Sequence, residues 1–168
     1  MAGQNMSTVD LGGYTDDQLV RNAREALRLR HYTRANKFYG EYCERQVRLA
    51  KPISPSVLAG YGLTLGHTGR PKEGLEICFQ ALFADRRNAD VYWGLADLYW
   101  LSRSRRKAID ALDRGLSLSP GHPGLHRLRD EMGARHTPPI PFLSRNSVFN
   151  VSLGRMMHKL RSARVGPG

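Results

Sequence analysis

The sequence predicts an all-α protein built from stacked helical hairpins, and three observations lead to this prediction. The segment 55–88 overlays the segment 89–122 without a gap, which gives an internal repeat of about 34 residues. Each unit has apolar residues at helical spacing on both sides of a short turn, which indicates a helix, a turn and a second helix. Small residues recur where two helices must approach closely, and these are Gly62, Ala96, Gly74 and Ala108.

A degenerate first unit precedes the repeat. Thr15 and Gln18 have the spacing of a capping box, which predicts the start of a helix. The buried face of this helix is predicted to consist of Leu19, Ala23, Ala26 and Leu27. We expect a tight turn at 31–33 and a second helix over about 33–50. The buried residues predicted for the second helix are Ala35, Phe38, Tyr39, Tyr42, Cys43 and Val47. Prolines at 52 and 55 end it.

The composition changes after the second full unit. Residues 123–136 predict one more helix that caps the stack through Leu125, Leu128 and Met132. The segment 137–143 contains three prolines and is expected to be an extended linker. These boundaries predict a flexible N-terminus over 1–14, a helical domain over 15–136, the linker, and a basic tail over 144–168.

The tail is predicted to form an amphipathic helix that docks on a partner. Its apolar residues share one helical stripe, and basic residues flank that stripe. The tail residues expected to dock are Phe149, Leu153, Arg155, Met156, Met157, Lys159 and Leu160. Such a segment is marginal as an isolated helix, so we expect it to fold on another surface.

Charge and composition restrict the class of protein. The 168 residues include 26 basic and 15 acidic side chains, a net charge of +11, and residues 137–168 supply +5 of it. An excess of this kind suggests an acidic partner. No run of 18 apolar residues is present, and the polar start lacks the apolar stretch of a secretory signal. Two cysteines are too few for a disulfide scaffold, so we expect a cytoplasmic protein.

No catalytic motif emerges from the sequence, and no cofactor is predicted. The glycines at 60 and 62 lie inside a predicted helix, where they cannot form a nucleotide-binding loop. His122 and His126 lack an evident third metal ligand. Cys43 and Cys78 fall on apolar helix faces, where cysteine commonly acts as a small core residue. We therefore predict that the protein is not an enzyme.

The repeat resembles that of the tetratricopeptide repeat (TPR) family, which has the same length. The unit 89–122 matches best, through Tyr92, Leu95, Ala96, Tyr99, Ala108, Leu112, Gly115 and Pro120. The unit 55–88 is looser, and residues 16–50 give a third, degenerate match. The resemblance implies a right-handed α-α superhelix. It also implies a concave face that is lined by the first helix of each hairpin and binds peptides or partner helices.

The register of the family places eight residues in this groove: Arg24, Arg28, Leu63, His67, Trp93, Asp97, Trp100 and Arg127. The two tryptophans are interpreted either as binding residues or as core residues between hairpins. The basic run 103–107 is interpreted either as an exposed turn with a helix start or as a contact for an acidic partner.

The predicted function is a cytoplasmic adaptor, chaperone or assembly subunit. It binds a protein partner, as a peptide or a helix, in the groove and uses the tail as a second arm. Nucleic-acid binding and peripheral membrane attachment through the tail are the alternatives. Against nucleic acid, residues 1–136 carry a net charge of only +6 and show no series of aromatics among basic residues. A stack of only a few repeats often has an apolar face at its end that another chain can cover. Self-association of the protein is therefore a further possibility.

Overall fold

The computed structural model describes residues 11–133, which form three helical hairpins followed by a single helix. The helices are α1 (Asp16–Arg28), α2 (Tyr32–Arg48), α3 (Pro55–His67), α4 (Pro71–Ala84), α5 (Ala89–Leu101), α6 (Arg105–Leu118) and α7 (Pro123–Glu131). The second and third hairpins begin and end at equivalent positions of the two repeat units, as the sequence predicts. The all-α prediction is confirmed.

The helix ends repeat with the same period. The N-caps of α3, α5 and α7 are Ser54, Asn88 and His122, and each side chain accepts a hydrogen bond from a backbone N–H of the first turn. Just after α3 and α5, Gly69 and Arg103 adopt left-handed backbone conformations with φ of 94° and 57°. In each case the amide of this residue and the next amide bond back to the last helical turn, which closes the helix.

The two helices of the second hairpin touch through glycine. A Cβ atom added to Gly62 would lie 2.6 Å from the carbonyl oxygen of Gly74 and 2.7 Å from Sγ of Cys78. In the third hairpin, Ala96 and Ala108 occupy the equivalent positions and both are fully buried. The predicted close approach of the hairpin helices is therefore confirmed.

The first hairpin follows the prediction with two corrections. The capping box at Thr15 forms, and Leu19, Ala23, Ala26 and Leu27 are buried. The predicted turn at 31–33 is wrong, because α2 already begins at Tyr32.

The prediction that Val47 is buried is also wrong, because its side chain is 72% exposed. Tyr39, Cys43 and Gln46 form the buried stripe of α2 instead, at steps of four and three residues. Gln46 fits there because its Nε2 donates to Oδ2 of Asp16 at 2.7 Å, which satisfies a buried amide.

The residues before α1 are packed against α2. The ring of Tyr14 meets the ring of Phe38 edge-on, with centroids 5.7 Å apart. Arg45 donates to the backbone carbonyl oxygens of Tyr14 and Leu11, each at 2.6 Å. This part of the segment predicted to be flexible therefore contributes to the first hairpin, while residues 1–10 lie outside the described residues.

The last described helix covers the end of the third hairpin. Leu125, Leu128 and Met132 are buried, as predicted for a capping helix. Gly115 of α6 accommodates Leu125, because a Cβ atom added to Gly115 would lie 2.6 Å from Cδ1 of that leucine. α7 ends at Glu131, and the predicted linker and tail lie outside the described residues. Within residues 11–133, every helix is too short or too polar to cross a bilayer.

Candidate partner-binding surface

Four of the eight predicted groove residues meet on one surface, which we call the inner surface. Leu63 of α3, Trp93 and Asp97 of α5, and Arg127 of α7 line a single cavity there. Arg30 of the α1–α2 turn and Tyr32 at the start of α2 close one side, and α7 adds Glu131. The cavity has a volume of about 20 Å³, which is room for about one water molecule. The inner surface is therefore nearly filled by the chain's own side chains.

The period of the repeat explains why these side chains meet. Leu63, Asp97 and Glu131 occupy equivalent positions of three successive first helices, and so do Ala59, Trp93 and Arg127. Equivalent positions of stacked hairpins face the same way, so the period builds two parallel rows. Each row begins with an apolar residue in α3 and ends with a charged residue in α7, where Glu131 ends one row and Arg127 ends the other.

Trp93 is the largest side chain of the inner surface, and it is half-buried. Its indole packs against Gly124, where an added Cβ atom would lie 2.5 Å from Cε2 of the ring. It also contacts the imidazole of His122, at 5.5 Å between ring centroids, and the core of the first hairpin. Trp93 thus serves partly as core between α7 and the first hairpin, and it presents its remaining area to the cavity.

The second feature is a polar chain that crosses from α2 to α5. The ring of Tyr32 stacks on His67 with centroids 3.7 Å apart and planes 4° apart. Nε2 of His67 lies 2.5 Å from Oδ2 of Asp97, whose side chain is only 12% exposed. A carboxylate at this depth requires such a partner, because an unpaired buried charge is costly. The three residues therefore link the start of α2, the end of α3 and the body of α5.

His122 and Asp90 form a comparable pair at the other end of α5. Nδ1 of His122 accepts the backbone N–H of Leu125 at 3.1 Å, so its Nε2 carries the proton and donates to Oδ1 of Asp90 at 2.8 Å. This hydrogen bond is the main cause that lowers the pKa of the Asp90 carboxyl, with a smaller contribution from Ser56. Burial opposes this effect and raises the pKa. His122 therefore links the N-terminal ends of α5 and α7.

The rim of the inner surface is closed by exposed charged contacts. Arg30 forms an ion pair with Glu131, and the two side chains are 47% and 38% exposed. Nη1 of Arg127 donates to the backbone carbonyl oxygen of Arg28 at 3.2 Å. Both contacts join α7 to the end of α1, which lies about a hundred residues earlier in the chain. Ion pairs this exposed contribute about 0–1 kcal/mol each, so the rim is weakly held.

The other predicted groove residues lie beside the cavity or away from it. His67 adjoins it through Asp97, and Arg28 contributes its carbonyl oxygen to the rim. Arg24 and Arg28 line a separate, more open depression along α1, with a volume of about 490 Å³. Trp100 lies at the end of α5, where the guanidinium of Arg105 covers its ring at 5.6 Å.

Among the lining residues that the predicted set does not include are Arg30 and Tyr32. Arg30 lies in the α1–α2 turn and Tyr32 is the first residue of α2, whereas the sequence prediction places the turn at 31–33. The 34-residue register of the second and third hairpins does not extend to the first hairpin, so it gives no signal for these two residues.

The thiol groups of the described residues are poor nucleophiles. Cys43 and Cys78 are both free and buried, and burial raises the pKa of each thiol to about 12. Almost no thiolate therefore exists at neutral pH. Among residues 11–133, no three His, Cys, Asp or Glu side chains are grouped closely enough to hold a metal ion.

Comparison with known proteins gives matches in structure alone. No protein-family model and no curated protein matches the chain. The TPR domain of Arabidopsis OM64 is similar in structure, with a TM-score of 0.53 and 12% sequence identity, over 70% of this chain and 93% of that domain.

The second TPR domain of human RPAP3, solved in complex with an HSP70 peptide, matches with a TM-score of 0.49 and 13% identity, over 72% of this chain and all of that domain. The three stacked hairpins, the exact repeat of the last two and the OM64 match lead to one conclusion. The chain has the fold of a TPR-like helical repeat protein.

Proposed function

We propose that the protein is a non-enzymatic protein-interaction module that binds a polypeptide segment of a partner on its inner surface. The observation that carries the proposal is the composition of this surface. Trp93 supplies a large aromatic area beside the buried carboxylate of Asp97, and Arg127 and Glu131 supply both signs of charge at the rim. Aromatic and arginine side chains of this kind dominate the binding energy of protein interfaces.

The weak rim explains how a segment can enter a cavity of about 20 Å³. Arg30 and Glu131 are exposed, and the side chain of Arg127 makes one hydrogen bond to a backbone oxygen. A partner with charged groups can replace these contacts at little cost, because exposed ion pairs contribute about 0–1 kcal/mol. Binding then exchanges contacts within the chain for contacts with the partner.

The tail is the second part of the proposal. The sequence places an apolar stripe with methionines over residues 149–160, and methionine adapts to irregular partner surfaces. We infer that the tail docks on the same partner or complex, so that two linked contacts strengthen each other through effective concentration. A cytoplasmic adaptor, chaperone or assembly subunit fits this arrangement.

The test uses the full chain purified with its partners from the native host and analysed by mass spectrometry. Arg127→Glu places a negative charge at the rim, whereas Arg114→Glu makes the same change at an exposed position of α6. We expect a protein that is retained by the wild type and by Arg114→Glu, and lost from Arg127→Glu.

Circular dichroism checks that both variants keep their helices, and Leu153→Asp tests the tail separately. Retention of the same proteins by Arg127→Glu would contradict binding on the inner surface. Absence of any specific protein would contradict the proposed function as a whole.

A further inference from the structure

The positive charge of the described domain is concentrated in the turns inside the three hairpins. We call the segments 28–34, 67–73 and 101–107 the turn edge. These segments hold nine basic residues and one acidic residue, a net charge of +8. The rest of residues 11–133 holds eleven basic and thirteen acidic residues, a net charge of −2. The turn edge therefore accounts for the whole positive excess of the domain.

Contacts between hairpins place the three segments side by side. The stacked rings of Tyr32 and His67 join the first segment to the second. A Cβ atom added to Gly66, just before the second segment, would clash with Cδ2 of Leu98 and would lie 3.4 Å from Cδ1 of Leu101, the first residue of the third segment. Packed helices lie about 8–10 Å apart, which is about one Debye length at physiological ionic strength. The charges of neighbouring segments therefore act together on a partner.

The basic side chains of the turn edge face solvent. All nine of them belong to exposed residues, and they are Arg28, Arg30, Arg34, Arg70, Lys72, Arg103, Arg105, Arg106 and Lys107. Three of the nine are paired with acids: Arg70 with Glu73 inside the edge, and Arg28 and Arg30 with Glu25 and Glu131 beside it. The other six form no ion pair within residues 11–133, and the third hairpin supplies four of them. A partner that approaches this edge therefore meets cations from all three hairpins, with the largest unpaired share on the third.

Apolar side chains lie among these cations. Leu29 and Leu101 are 48% and 41% exposed. The phosphate backbone of a nucleic acid offers nothing apolar to cover two leucines. The boundary between lipid headgroups and acyl chains offers anionic groups and hydrocarbon together, which is the pattern recognised by interfacial protein surfaces.

Two aromatic rings at this edge also argue against single-stranded nucleic acid. Arg105 covers the ring of Trp100, and Lys107 covers the ring of Tyr99, each with its charged group 5.6 Å from the ring centroid. Proteins that bind single strands use open ring faces on which bases stack. Here one face of each ring is occupied by a cation, so these rings serve to hold the cations at the edge.

We propose that the turn edge docks on the surface of an anionic lipid bilayer. The arginines and lysines contact the lipid phosphates, and Leu29 and Leu101 reach the boundary between headgroups and acyl chains. The attachment is peripheral and reversible, because it rests on charge and on two leucines. It differs from binding through the tail, because it is made by helix ends of the folded domain.

The experiment measures binding of the full chain to two kinds of vesicle, one of phosphatidylcholine alone and one in which phosphatidylglycerol replaces part of it. The test variant Arg103→Gln/Arg106→Gln removes two cations from the turn edge. The control variant Arg86→Gln/Arg87→Gln removes two exposed cations from the α4–α5 loop, at the opposite ends of the hairpins. Both variants keep the tail and have the same net charge.

We expect the test variant to lose about 30-fold in partition to anionic vesicles, because each cation near such a surface contributes about a factor of five. The control variant is expected to lose less than threefold. Equal losses in the two variants would overturn the proposal, because binding would then follow net charge or the tail alone.

A second matched pair tests the leucines. Leu29 and Leu49 are the C-caps of α1 and α2, are 48% and 58% exposed, and lie at opposite ends of the first hairpin. Leu29→Ser should weaken vesicle binding severalfold, while Leu49→Ser should leave it unchanged. Equal effects of the two substitutions would overturn the role of the apolar contact. Failure of the wild type to bind anionic vesicles, or tighter binding to a DNA duplex at the same ionic strength, would overturn membrane docking itself.

Discussion

Replacing Gly62 with alanine tests the close contact between α3 and α4. The added Cβ atom would lie 2.6 Å from the carbonyl oxygen of Gly74, a backbone atom that cannot rotate away. The helices must separate by about 0.8 Å to restore an ordinary distance of 3.4 Å. Overpacking of this kind costs about 1–3 kcal/mol, while alanine gains about 1 kcal/mol in helix propensity. We expect a net loss of about 1 kcal/mol.

Gly40→Ala is the matched control within α2. A Cβ atom on Gly40 would lie 3.7 Å from the hydroxyl oxygen of Tyr61, an ordinary contact. This variant should gain between about 0.5 and 1 kcal/mol, since only the propensity term remains.

Urea unfolding followed by circular dichroism should therefore separate the Gly62 and Gly40 variants by about 2 kcal/mol. The corresponding difference in Tm is about 8 °C for a domain of this size. Equal stabilities of the two variants would refute the close approach of α3 and α4.

Three further predictions concern the backbone, the pH dependence and the thiols. Arg103→Gly should raise the free energy of unfolding by about 0.5–1 kcal/mol, because a residue with a side chain is strained in the left-handed conformation. Gly69→Ala should lower the free energy of unfolding by about the same amount for the same reason. Urea titrations measure both changes. The pKa of Asp90 is lowered by His122, so this carboxyl stabilises the fold above about pH 4 and the stabilisation is lost as the pH falls further. Asp90→Asn should therefore flatten the stability profile between about pH 5 and 3 in acid titrations, and an unchanged slope would contradict this assignment. Burial raises the pKa of the Cys78 thiol to about 12. A thiol reagent at about pH 8 should therefore react with Cys78 only as fast as the domain opens. Rapid labelling of Cys78 in the folded protein would contradict its burial.

Local signals in the sequence predicted most of the fold correctly. The capping box at Thr15 and the close approach at Gly62 and Gly74 are both present in the structure. These features depend on residues a few positions apart or on helix pairs joined by a short turn. The errors occurred in α2, where Val47 lies one position off the buried stripe and Gln46 replaces it. A polar residue at a core position is predictable only when its partner, Asp16, is known.

The candidate site was predictable only in part. The register of the repeat placed Leu63, Asp97 and Trp93 on a common surface, and the structure brings them together. Trp100, two helical turns after Trp93, lies at the end of α5 beneath the guanidinium of Arg105 and does not line the cavity. Arg30 and Tyr32, which close the cavity from the first hairpin, lie outside the 34-residue register, so the repeat could not predict them.

The sequence by itself determined the helices, their caps and the exact repeat, because these follow from patterns within one hairpin or between equivalent positions. Only the tertiary structure decided what the inner surface looks like. Arg127 and Glu131 close it by reaching the end of α1, and Trp93 fills it by packing on Gly124 and on the first hairpin. These contacts join residues up to about a hundred positions apart. These contacts form only if each hairpin is rotated on the one before it so that α7 reaches the first hairpin. That rotation is set by packing between hairpins, which a local sequence pattern does not specify.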